Sequence, residues 1–495
     1  MTRIVVLGGG TAGWMAASLF AAAWPGRAQV SVIESPEIGI IGVGEGSTPQ
    51  LKAFFEQIGL AERDWMPAAN ATYKTGIAFH GWSERPGHES YFHPFPADVD
   101  LHSTDAFFSH CAARRGGFDF PAHPDLFYLP ARLAAEQRGP HAHPDFPFEA
   151  SYGYHFDAYL VGQVLRDHAV KRGVAHLPLK VVAVDVAEDG QVRALRTEDG
   201  QAIGGDIFVD CSGFRSIIAQ EALGVKFLPF AQNLFNDSAV VMPTPRRGAA
   251  LDAHTRATAL SAGWCWAIPL QSRTGNGYVY SSRYISPEDA EAELRRHLGL
   301  GADDPPARHL KMKVGRVENS WTGNCLAVGL SQGFIEPLEA TALHIVQATV
   351  EGFIAAYEKG GFTPRERADF NARINARYEG IRDYIVGHYR LNRRTDTEYW
   401  RDNARNTALS DTLRRVMHCW FTGGDLPAEI EQLGIWRYYS AISWHCMLAG
   451  YGTFPENLRP APAGPEQDMA RIARLLARCA RYYPPHHEQL AALER

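Results

Sequence analysis

The sequence predicts an α/β protein in which a parallel sheet near the N-terminus is joined to a mostly α-helical lobe. Two patterns carry this prediction. The apolar run Ile4–Leu7 leads through glycines into a helical stretch, which is the order of strand, turn and helix in a parallel sheet. From Glu351 to Tyr389 the apolar residues recur instead at helical spacing. Because the chain has 495 residues, we expect two modules or one large fold with an added lobe.

The composition argues against several classes of function. A formal net charge of -6 at pH 7 offers no basic surface for nucleic acid. The 7 cysteines are scattered without a CxxC pair, which argues against a zinc site and a disulfide framework. No apolar run is long enough to cross a membrane, and the first strand follows Met1 too closely for a signal peptide. We therefore expect a cytoplasmic protein without metal, membrane or nucleic acid.

The glycines after the first strand predict a dinucleotide site. Gly8–Gly13 reads GGGTAG, a GxGxxG motif between a strand and the helical stretch Trp14–Trp24. Glycines there permit a tight turn and the close approach of a pyrophosphate to the helix N-terminus. Glu34 ends the next apolar run, where an acid binds ribose hydroxyls. These residues do not distinguish FAD from NAD.

Two later turns favour FAD. Asp206–Gly213 and Cys325–Leu330 each read as a strand that ends in a glycine-containing turn, and such late returns to one crevice suit a long cofactor. No second GxGxxG follows a strand, so we expect reduced flavin to come from another protein. The alternative, NADPH binding without such a loop, stays open.

Further segments complete the predicted flavin site and its surroundings. The turn Val43–Pro49, before a helix Gln50–Ile58, is placed to cover the flavin ring, although an ordinary surface turn is the alternative. A helix is expected over Ala158–Arg172 and a strand over Val181–Val186. The predicted cofactor-binding residues are Gly8, Gly10, Thr11, Ala12, Gly13, Glu34, Val43, Gly44, Glu45, Val182, Asp210, Gly213, Leu330 and Leu343.

The segment from Pro86 to Pro147 is dense in histidine, proline and aromatic residues and keeps neither a helix nor a strand period. It predicts an irregular insertion that lines a pocket for an aromatic ligand, or alternatively a packed irregular lobe.

A more specific signal is the motif WCWAIP at Trp264–Pro269. Residues two apart in a strand share a face, so both indoles point the same way, and the proline ends the strand pairing. Core packing is the alternative.

Lys74 stands in the otherwise apolar run Thr72–Phe79, which predicts a strand. A lysine in such a run ordinarily lies at the strand edge with its head group in water. The residues next to Lys74 give no reason to prefer a functional role over this ordinary interpretation.

Together, the GxGxxG loop, Lys74 and the WxWxIP string resemble the flavin-dependent tryptophan halogenase family. The similarity continues through Gly329–Glu339 to Ala449–Pro455. It implies an FAD-binding, Rossmann-like box of the GR2, monooxygenase-like type with a mostly α-helical substrate lobe. We expect the box over residues 1–95 and 150–355, and the lobe over residues 96–149 and 356–495.

The resemblance also implies a reaction. Reduced FAD, oxygen and chloride or bromide would give hypohalous acid, which passes through a tunnel to Lys74 and then to an electron-rich aromatic ring. Whether the lysine forms a haloamine or hydrogen-bonds hypohalous acid stays open. Glu339 would orient the halogenating species or take up the ring proton, and the backbone N–H groups of Thr341 and Ala342 would hold the halide. The wall between flavin and substrate would be formed by Trp264, Trp266, Ile268 and Pro269.

Three departures from the family pattern bear on the substrate. Ala340 stands where the family usually has serine, and Ala342 where it has glycine. The region Gly423–His445 is short and lacks a clear match to the lid that grips an amino acid. These departures favour an indole or a similar arene over tryptophan itself. The predicted substrate residues are His93, Phe95, Glu339, Trp436 and Trp444, with His445 beside them.

The sequence thus predicts an FADH2-dependent halogenase that is supplied with diffusing FADH2 by a separate flavin reductase. A homodimer is left open. Two alternatives are a flavin-dependent aromatic hydroxylase and a degenerate FAD-binding protein without halogenase activity.

Overall fold

The computed structural model describes residues 1–37, 44–246, 248, 250–301, 304–461 and 465–493. The chain packs as two units. Unit 1 consists of Met1–Ala71, Phe156–Ala231 and Met312–Glu379. Unit 2 consists of Thr72–His155, Gln232–Lys311 and Gly380–Arg495.

The strands of the described residues are short and spread over the first two thirds of the chain. They are β1 Thr2–Leu7, β2 Ala28–Ile33, β3 Gly44–Gly46, β4 Thr72–Lys74, β5 Gly76–His80, β6 Ser90–Pro94, β7 Gly153–Asp157, β8 Ala175–Leu177, β9 Val181–Val186, β10 Val192–Thr197, β11 Ala202–Gly204, β12 Ile207–Asp210, β13 Phe227–Pro229, β14 Ser238–Val241, β15 Thr244–Pro245, β16 Thr255–Leu260, β17 Gly263–Pro269, β18 Arg273–Tyr280, β19 Arg308–Lys311, β20 Gly315–Val317, β21 Trp321–Thr322, β22 Cys325–Ala327 and β23 Gly333–Phe334.

The helices become dense after residue 340. They are α1 Thr11–Ala23, α2 Gln50–Ile58, α3 Glu62–Trp65, α4 Leu101–Arg115, α5 Leu129–Ala135, α6 Ala158–Lys171, α7 Pro287–Leu298, α8 Ala342–Lys359, α9 Arg367–Leu391, α10 Glu398–Arg405, α11 Asp411–Phe421, α12 Leu426–Leu433, α13 Ala441–Gly450, α14 Pro465–Ala480 and α15 His486–Ala492. Among the described residues, no helix combines the length and the apolar content needed to cross a membrane.

The main sheet of unit 1 has the strand order β21-β22-β12-β1-β2-β8 and is parallel from β22 to β8. Its central strand β1 is apolar because both faces are covered, and Ile4 and Val6 are fully buried. Parallel strands bring their carboxyl ends to one edge of the sheet, so the loops after β1, β2, β12 and β22 meet there. The predicted α/β, Rossmann-like fold is thereby confirmed.

The main sheet of unit 2 has the strand order β19-β14-β18-β17-β16-β5-β6 and is antiparallel except where β16 pairs with β5. The tryptophan strand β17 therefore lies inside the sheet. Helix α7 packs on the sheet through Ala290 and Leu294, which join a core with Val240 and Tyr278. The C-terminal part of this unit, from residue 380 onward, is helical in its named elements.

One local prediction was wrong. The segment predicted to be irregular between Pro86 and Pro147 contains β6, α4 and α5. The sequence of helix α4 shows no apolar periodicity, because polar residues such as Ser103, Thr104 and His110 occupy part of its buried face. The helical spacing over Glu351–Tyr389 corresponds to the end of α8 and most of α9, with a break that contains Pro364. The predicted division into a flavin box and a substrate lobe concerns roles and stays a prediction.

Candidate active site

The glycine loop of unit 1 is shaped by two close backbone contacts. Gly8 has a φ of +116°, and a Cβ atom there would lie 2.2 Å from the carbonyl oxygen of Cys211. A Cβ atom on Gly13 would lie 1.9 Å from the carbonyl oxygen of Gly8. The packing of the loop against its own helix and against the loop after β12 therefore requires glycine at both positions.

Gly10 differs from these two glycines. Its φ of -73° is ordinary, no side chain caps helix α1 at this residue, and a Cβ atom there would meet no atom within 4 Å. The protein itself therefore does not require glycine at residue 10, whereas a ligand that closely approaches the helix N-terminus does. These residues fit the pyrophosphate of a dinucleotide such as FAD.

Glu34 lies beside the glycine loop, directly after β2. A Cβ atom on Gly9 would lie 2.2 Å from the carboxyl carbon of Glu34, so the carboxylate sits over the loop. Its Oε2 is 3.0 Å from Nε2 of His176. This position suits the predicted contact with ribose hydroxyls.

The loops after β12 and β22 complete this edge of the sheet. A Cβ atom on Gly329 would lie 2.8 Å from Cβ of Ala12, which brings the β22 loop against helix α1. The Asp210 carboxylate accepts hydrogen bonds from the hydroxyl of Ser331 at 3.1 Å and from the backbone N–H groups of Ile218 and Ala219 at 2.9 and 2.8 Å. Asp210 therefore ties the loops together, and its contact with the cofactor stays a prediction.

The other predicted cofactor residues occupy varied surroundings. The hydroxyl of Thr11 donates to the carbonyl of Ala158 at 3.1 Å, and Leu343 is buried in α8. Val182 is 57% exposed on β9, in a small antiparallel sheet with β10 and β11. Gly213 has a φ of +75° with open space around it, and Leu330 is 37% exposed. Val43 lies outside the described residues.

Glu45 is a carboxyl group with unusual proton affinity. It is half-buried in β3, directly after Gly44. Burial and the neighbouring charge of Asp157 raise its pKa to about 7. It therefore exchanges a proton near neutral pH.

The segment around Glu339 leads into the N-terminus of helix α8, which no side chain caps. Glu339 is 5% exposed and ends a short turn of 3-10 helix. Ala340 follows with a φ of +55°, which is left-handed backbone that costs a non-glycine residue about 1 kcal/mol. Thr341 is the N-cap of α8 and Ala342 its first residue, and no side chain caps this end. Their N–H groups can therefore serve an anion, as predicted for the halide.

In unit 2, Lys74 is fully buried on β4 with an exposed fraction of 0%. The alternative interpretation, a strand-edge lysine with its head group in water, is therefore excluded. Its register partner on β7 is Gly153, and its Nζ lies 5.4 Å from the ring centroid of Phe95. The structure thus holds the ammonium or amine of Lys74 over an aromatic face, and its catalytic role stays a prediction.

A hydrogen-bonded group beside Lys74 was missed from the sequence. Nδ1 of His155 is 3.1 Å from the hydroxyl of Thr72, and Nε2 is 2.9 Å from the hydroxyl of Thr255. The Thr72 hydroxyl donates to the carbonyl of Pro269 at 2.7 Å. No local signal marks this group, because its members are far apart in the sequence.

The tryptophan strand β17 places its indoles as predicted. The rings of Trp264 and Trp266 lie 6.1 Å apart, and both side chains are buried. The Trp266 ring fills the space over Gly277, where a Cβ atom would lie 2.1 Å from it. Ile268 is also buried. The role of this string as a wall between flavin and substrate stays a prediction.

Only some of the predicted substrate residues form an aromatic cluster in unit 2. The ring of Tyr384 lies 6.2 Å from His93 and 4.8 Å from Trp444, both of which are buried. Trp436 is instead 48% exposed. His445 stacks on Phe108 at 4.0 Å, which is ordinary core packing. Beside the cluster lies a small cavity of about 10 Å³, room for a single water molecule, lined by Gly380, Asp383, Thr412, Leu413, Ile435, Tyr438, Tyr439 and Trp444.

The parallel sheet, its glycine loop and the uncapped start of α8 define a dinucleotide-binding α/β enzyme. Within the part of the chain that the structure describes, no cluster of three or more histidine, cysteine or acidic side chains could hold a metal. The chain belongs to the tryptophan halogenase family, whose sequence profile matches residues 3–466. The predicted enzyme class, a flavin-dependent halogenase, and the family cofactors, reduced FAD with chloride or bromide, are thereby confirmed.

Individual relatives cover nearly the whole chain. The 7-chloro-L-tryptophan 6-halogenase KtzR of Kutzneria sp. (strain 744) is 37% identical, with 99% of each chain covered. The tryptophan 7-halogenase RebH of Lentzea aerocolonigenes is 32% identical over 93% of this chain and 91% of its own. The structure of BrvH, a flavin-dependent halogenase from Brevundimonas sp. BAL3, is 34% identical and superposes with a TM-score of 0.86, covering 100% of this chain and 99% of that one.

Proposed function

We propose that this enzyme halogenates an indole or a similar electron-rich arene by passing oxidised halogen to Lys74. The observation that carries this proposal is the complete burial of Lys74 against the face of Phe95. A buried lysine is rare in proteins, and its amine is removed from the water that would otherwise consume an electrophilic halogen.

The residues of unit 1 prepare the oxidant. Gly10 and the N-terminus of α1 bind the pyrophosphate, and Glu34 binds the ribose. The N–H groups of Thr341 and Ala342 hold the halide. Reduced FAD bound at the glycine loop would supply the electrons with which O2 oxidises the halide to hypohalous acid.

Lys74 keeps the oxidised halogen close to the arene. As a neutral amine, it exchanges an N–H proton for halogen and releases water, giving a haloamine. As a hydrogen-bond donor, it instead holds intact hypohalous acid. The arene receives the halogen and loses one proton in both forms. The haloamine takes up a proton and becomes the amine again, whereas hypohalous acid leaves its hydroxyl group as water and the lysine is unchanged. Glu339 accepts the proton lost by the arene or orients the halogenating species.

The lining of unit 2 supports an uncharged arene as the substrate. The aromatic cluster of Tyr384, His93 and Trp444 offers ring faces, and the small cavity beside it is walled mainly by aromatic and apolar side chains. Its carboxylate, Asp383, is engaged by the guanidinium of Arg382 at 2.8 Å and by the hydroxyl of Ser410. Charged groups of an amino acid would have to compete with these bonds, whereas an indole would not.

A separate reductase supplies the electrons in this proposal. No second dinucleotide loop follows a strand in the sequence, so diffusing FADH2 is the simplest carrier. We place the enzyme in the cytoplasm, because its cysteines carry free thiols.

The proposal is tested by incubating the enzyme with a flavin reductase, NADH, FAD, oxygen and either chloride or bromide. Indole, tryptophan and phenols are offered, and products are identified by mass. We expect halogenated indole or phenol, and a loss of about 100-fold or more in Lys74→Ala and in Glu339→Gln. Lys313→Ala is the matched control, because Lys313 also lies over an aromatic ring, Phe227 at 4.3 Å, but is exposed.

Full activity in Lys74→Ala would refute the role of the lysine. Products that carry added oxygen and no halogen in the presence of bromide would instead indicate a hydroxylase. FAD binding without any halogenated product across the panel would indicate a degenerate protein.

A further inference from the structure

The strand that carries Lys74 is held by a histidine on the neighbouring strand. Residues two apart share a face of a strand, so Thr72 and Lys74 point to the same side of β4. In the antiparallel pair with β7, their partners on that side are His155 and Gly153. Because glycine has no side chain, the imidazole of His155 is the side chain that β7 presents on this face beside Lys74.

The hydrogen bonds assign one tautomer to the neutral ring of His155. The hydroxyl of Thr72 gives its proton to the carbonyl of Pro269 at 2.7 Å, so it can only accept from the imidazole. Nδ1, at 3.1 Å, must therefore carry a hydrogen. In the neutral ring Nε2 is then an acceptor, and it receives the hydroxyl proton of Thr255 at 2.9 Å.

A second histidine holds the same strand through its backbone. Nε2 of His486 accepts from the backbone N–H of Tyr73 at 3.2 Å, while Nδ1 lies 3.1 Å from the carbonyl of Leu251. His486 is thus also a neutral, Nδ1-protonated ring. Strand β4 is therefore held at the side chain of Thr72 by His155 and at the backbone of Tyr73 by His486.

We propose that His155 is a positioning residue for halogen transfer, because its neutral, Nδ1-protonated imidazole fixes the strand that aims Lys74. The inference rests on the proposed function of Lys74. The Thr72 hydroxyl links this imidazole to the carbonyl of Pro269, at the end of the tryptophan strand β17. These two hydrogen bonds therefore fix the position of β4, which carries Lys74, relative to β17. A misplacement of the amine by about 1 Å would cost roughly 100-fold in rate.

Burial and the neighbouring Lys74 keep His155 neutral. Burial lowers its pKa well below the usual range, and a positive charge on Lys74 lowers it further, while His486 and His254 also lie near it. A proton on Nε2 would also remove the acceptor for Thr255. The charged and titratable groups that act on His486 and His254 are Asp252, Arg246, Arg256, His80 and His487.

Two amide substitutions separate the two bonds of the imidazole. In His155→Asn, the amide nitrogen takes the place of Nδ1 and can still donate to Thr72. In His155→Gln, the amide oxygen takes the place of Nε2 and keeps only the bond with Thr255. We expect kcat for halogenation to fall roughly 10- to 100-fold in His155→Gln and in Thr72→Val, but only slightly in His155→Asn and Thr72→Ser. The KM for the arene should not change.

His110→Gln is the matched control, because His110 is also buried and bonds a backbone carbonyl, that of Pro121 at 2.7 Å. It reports the cost of removing a core histidine away from Lys74. Near-ultraviolet circular dichroism and the thermal unfolding midpoint check that each variant is folded. Folded His155→Gln and Thr72→Val enzymes with the kcat of the unsubstituted enzyme would overturn the inference.

A second measurement does not depend on activity. Nitrogen NMR of the 15N-histidine-labelled protein, with His155→Asn used for assignment, should show Nδ1 protonated and Nε2 unprotonated from about pH 6 to pH 8. In Lys74→Met the pKa of His155 should rise, because one cause of its lowering is removed. An Nε2-protonated ring in that range would contradict the inference. Absence of halogenated product from the unsubstituted enzyme would instead contradict the proposed function and leave the NMR result to judge the inference.

Discussion

At the scale of single residues, the surroundings of a side chain decide which chemistry it can perform. Lys74 is buried over an aromatic ring, whereas Lys180 is a partly exposed lysine between Glu37 and Glu198. Both are lysines on or near strands in the sequence. Only Lys74 is removed from bulk water, which is the condition for an amine to hold a reactive halogen.

Glu45 gives a prediction about pH. Its pKa is raised to about 7 in the folded protein by burial and by Asp157, so ionisation costs folding free energy. The penalty is absent below the unfolded pKa, grows as the pH rises, and is complete above about 7. We expect Glu45→Gln to leave the free energy of unfolding unchanged at pH 4 and to raise it by roughly 2 kcal/mol at pH 8.

Urea unfolding at the two pH values measures this difference. Glu188→Gln, a substitution at an exposed glutamate, is the control and should give equal unfolding free energies for variant and parent. A pH-independent effect of Glu45→Gln would show that the carboxyl group does not titrate between these values.

At the scale of elements, the glycine loop gives a paired prediction. Gly13→Ala places a methyl group 1.9 Å from the carbonyl oxygen of Gly8 and should lower stability by several kcal/mol or prevent folding. Gly10→Ala meets no protein atom and should fold normally. Its affinity for FAD should nevertheless fall at least about 10-fold, because the methyl group occupies the approach of the pyrophosphate.

Thermal unfolding and FAD titration by fluorescence distinguish the two variants. Unchanged FAD affinity in Gly10→Ala would contradict the prediction that the pyrophosphate of FAD binds close to Gly10. The contrast is informative because the two substitutions are chemically identical and only three residues apart.

Local elements could be predicted, and elements with mixed faces could not. The predicted helix Gln50–Ile58 and strand Val181–Val186 have these bounds in the structure because propensity and periodicity act over a few residues. Helix α4 was missed, since hydroxyl and imidazole side chains occupy its buried face. The GxGxxG loop was visible because its chemistry is contiguous. His155 was not, because Thr72 and Thr255 lie 83 and 100 residues away.

At the scale of the whole molecule, the strand order divides the chain in a way that the sequence does not show. The predicted flavin box includes residues 72–95 and 232–311, which pack in unit 2. The reason is the pairing of β5 with β16, whose register joins Ile77 to Thr255. Such long-range pairing leaves no periodic trace in either strand.

Binding of FAD therefore tests where the flavin box ends. FAD at 100 times its Kd should stabilise the part that binds it by about 2.7 kcal/mol. Hydrogen exchange should slow mainly in residues 1–71, 156–231 and 312–379 if unit 1 alone holds the cofactor. Comparable protection throughout residues 232–311 would extend the box as the sequence predicted.

The alternation of side chains along β17 has a consequence for the durability of the enzyme. Cys265 lies between Trp264 and Trp266 in sequence but faces the other side of the sheet, where it packs with Val240 and Met242. Burial raises the pKa of its thiol to about 12, so the thiolate that oxidants attack hardly forms. Holding this thiol un-ionised in the apolar core, on the face opposite the indoles, would limit its oxidation by hypohalous acid.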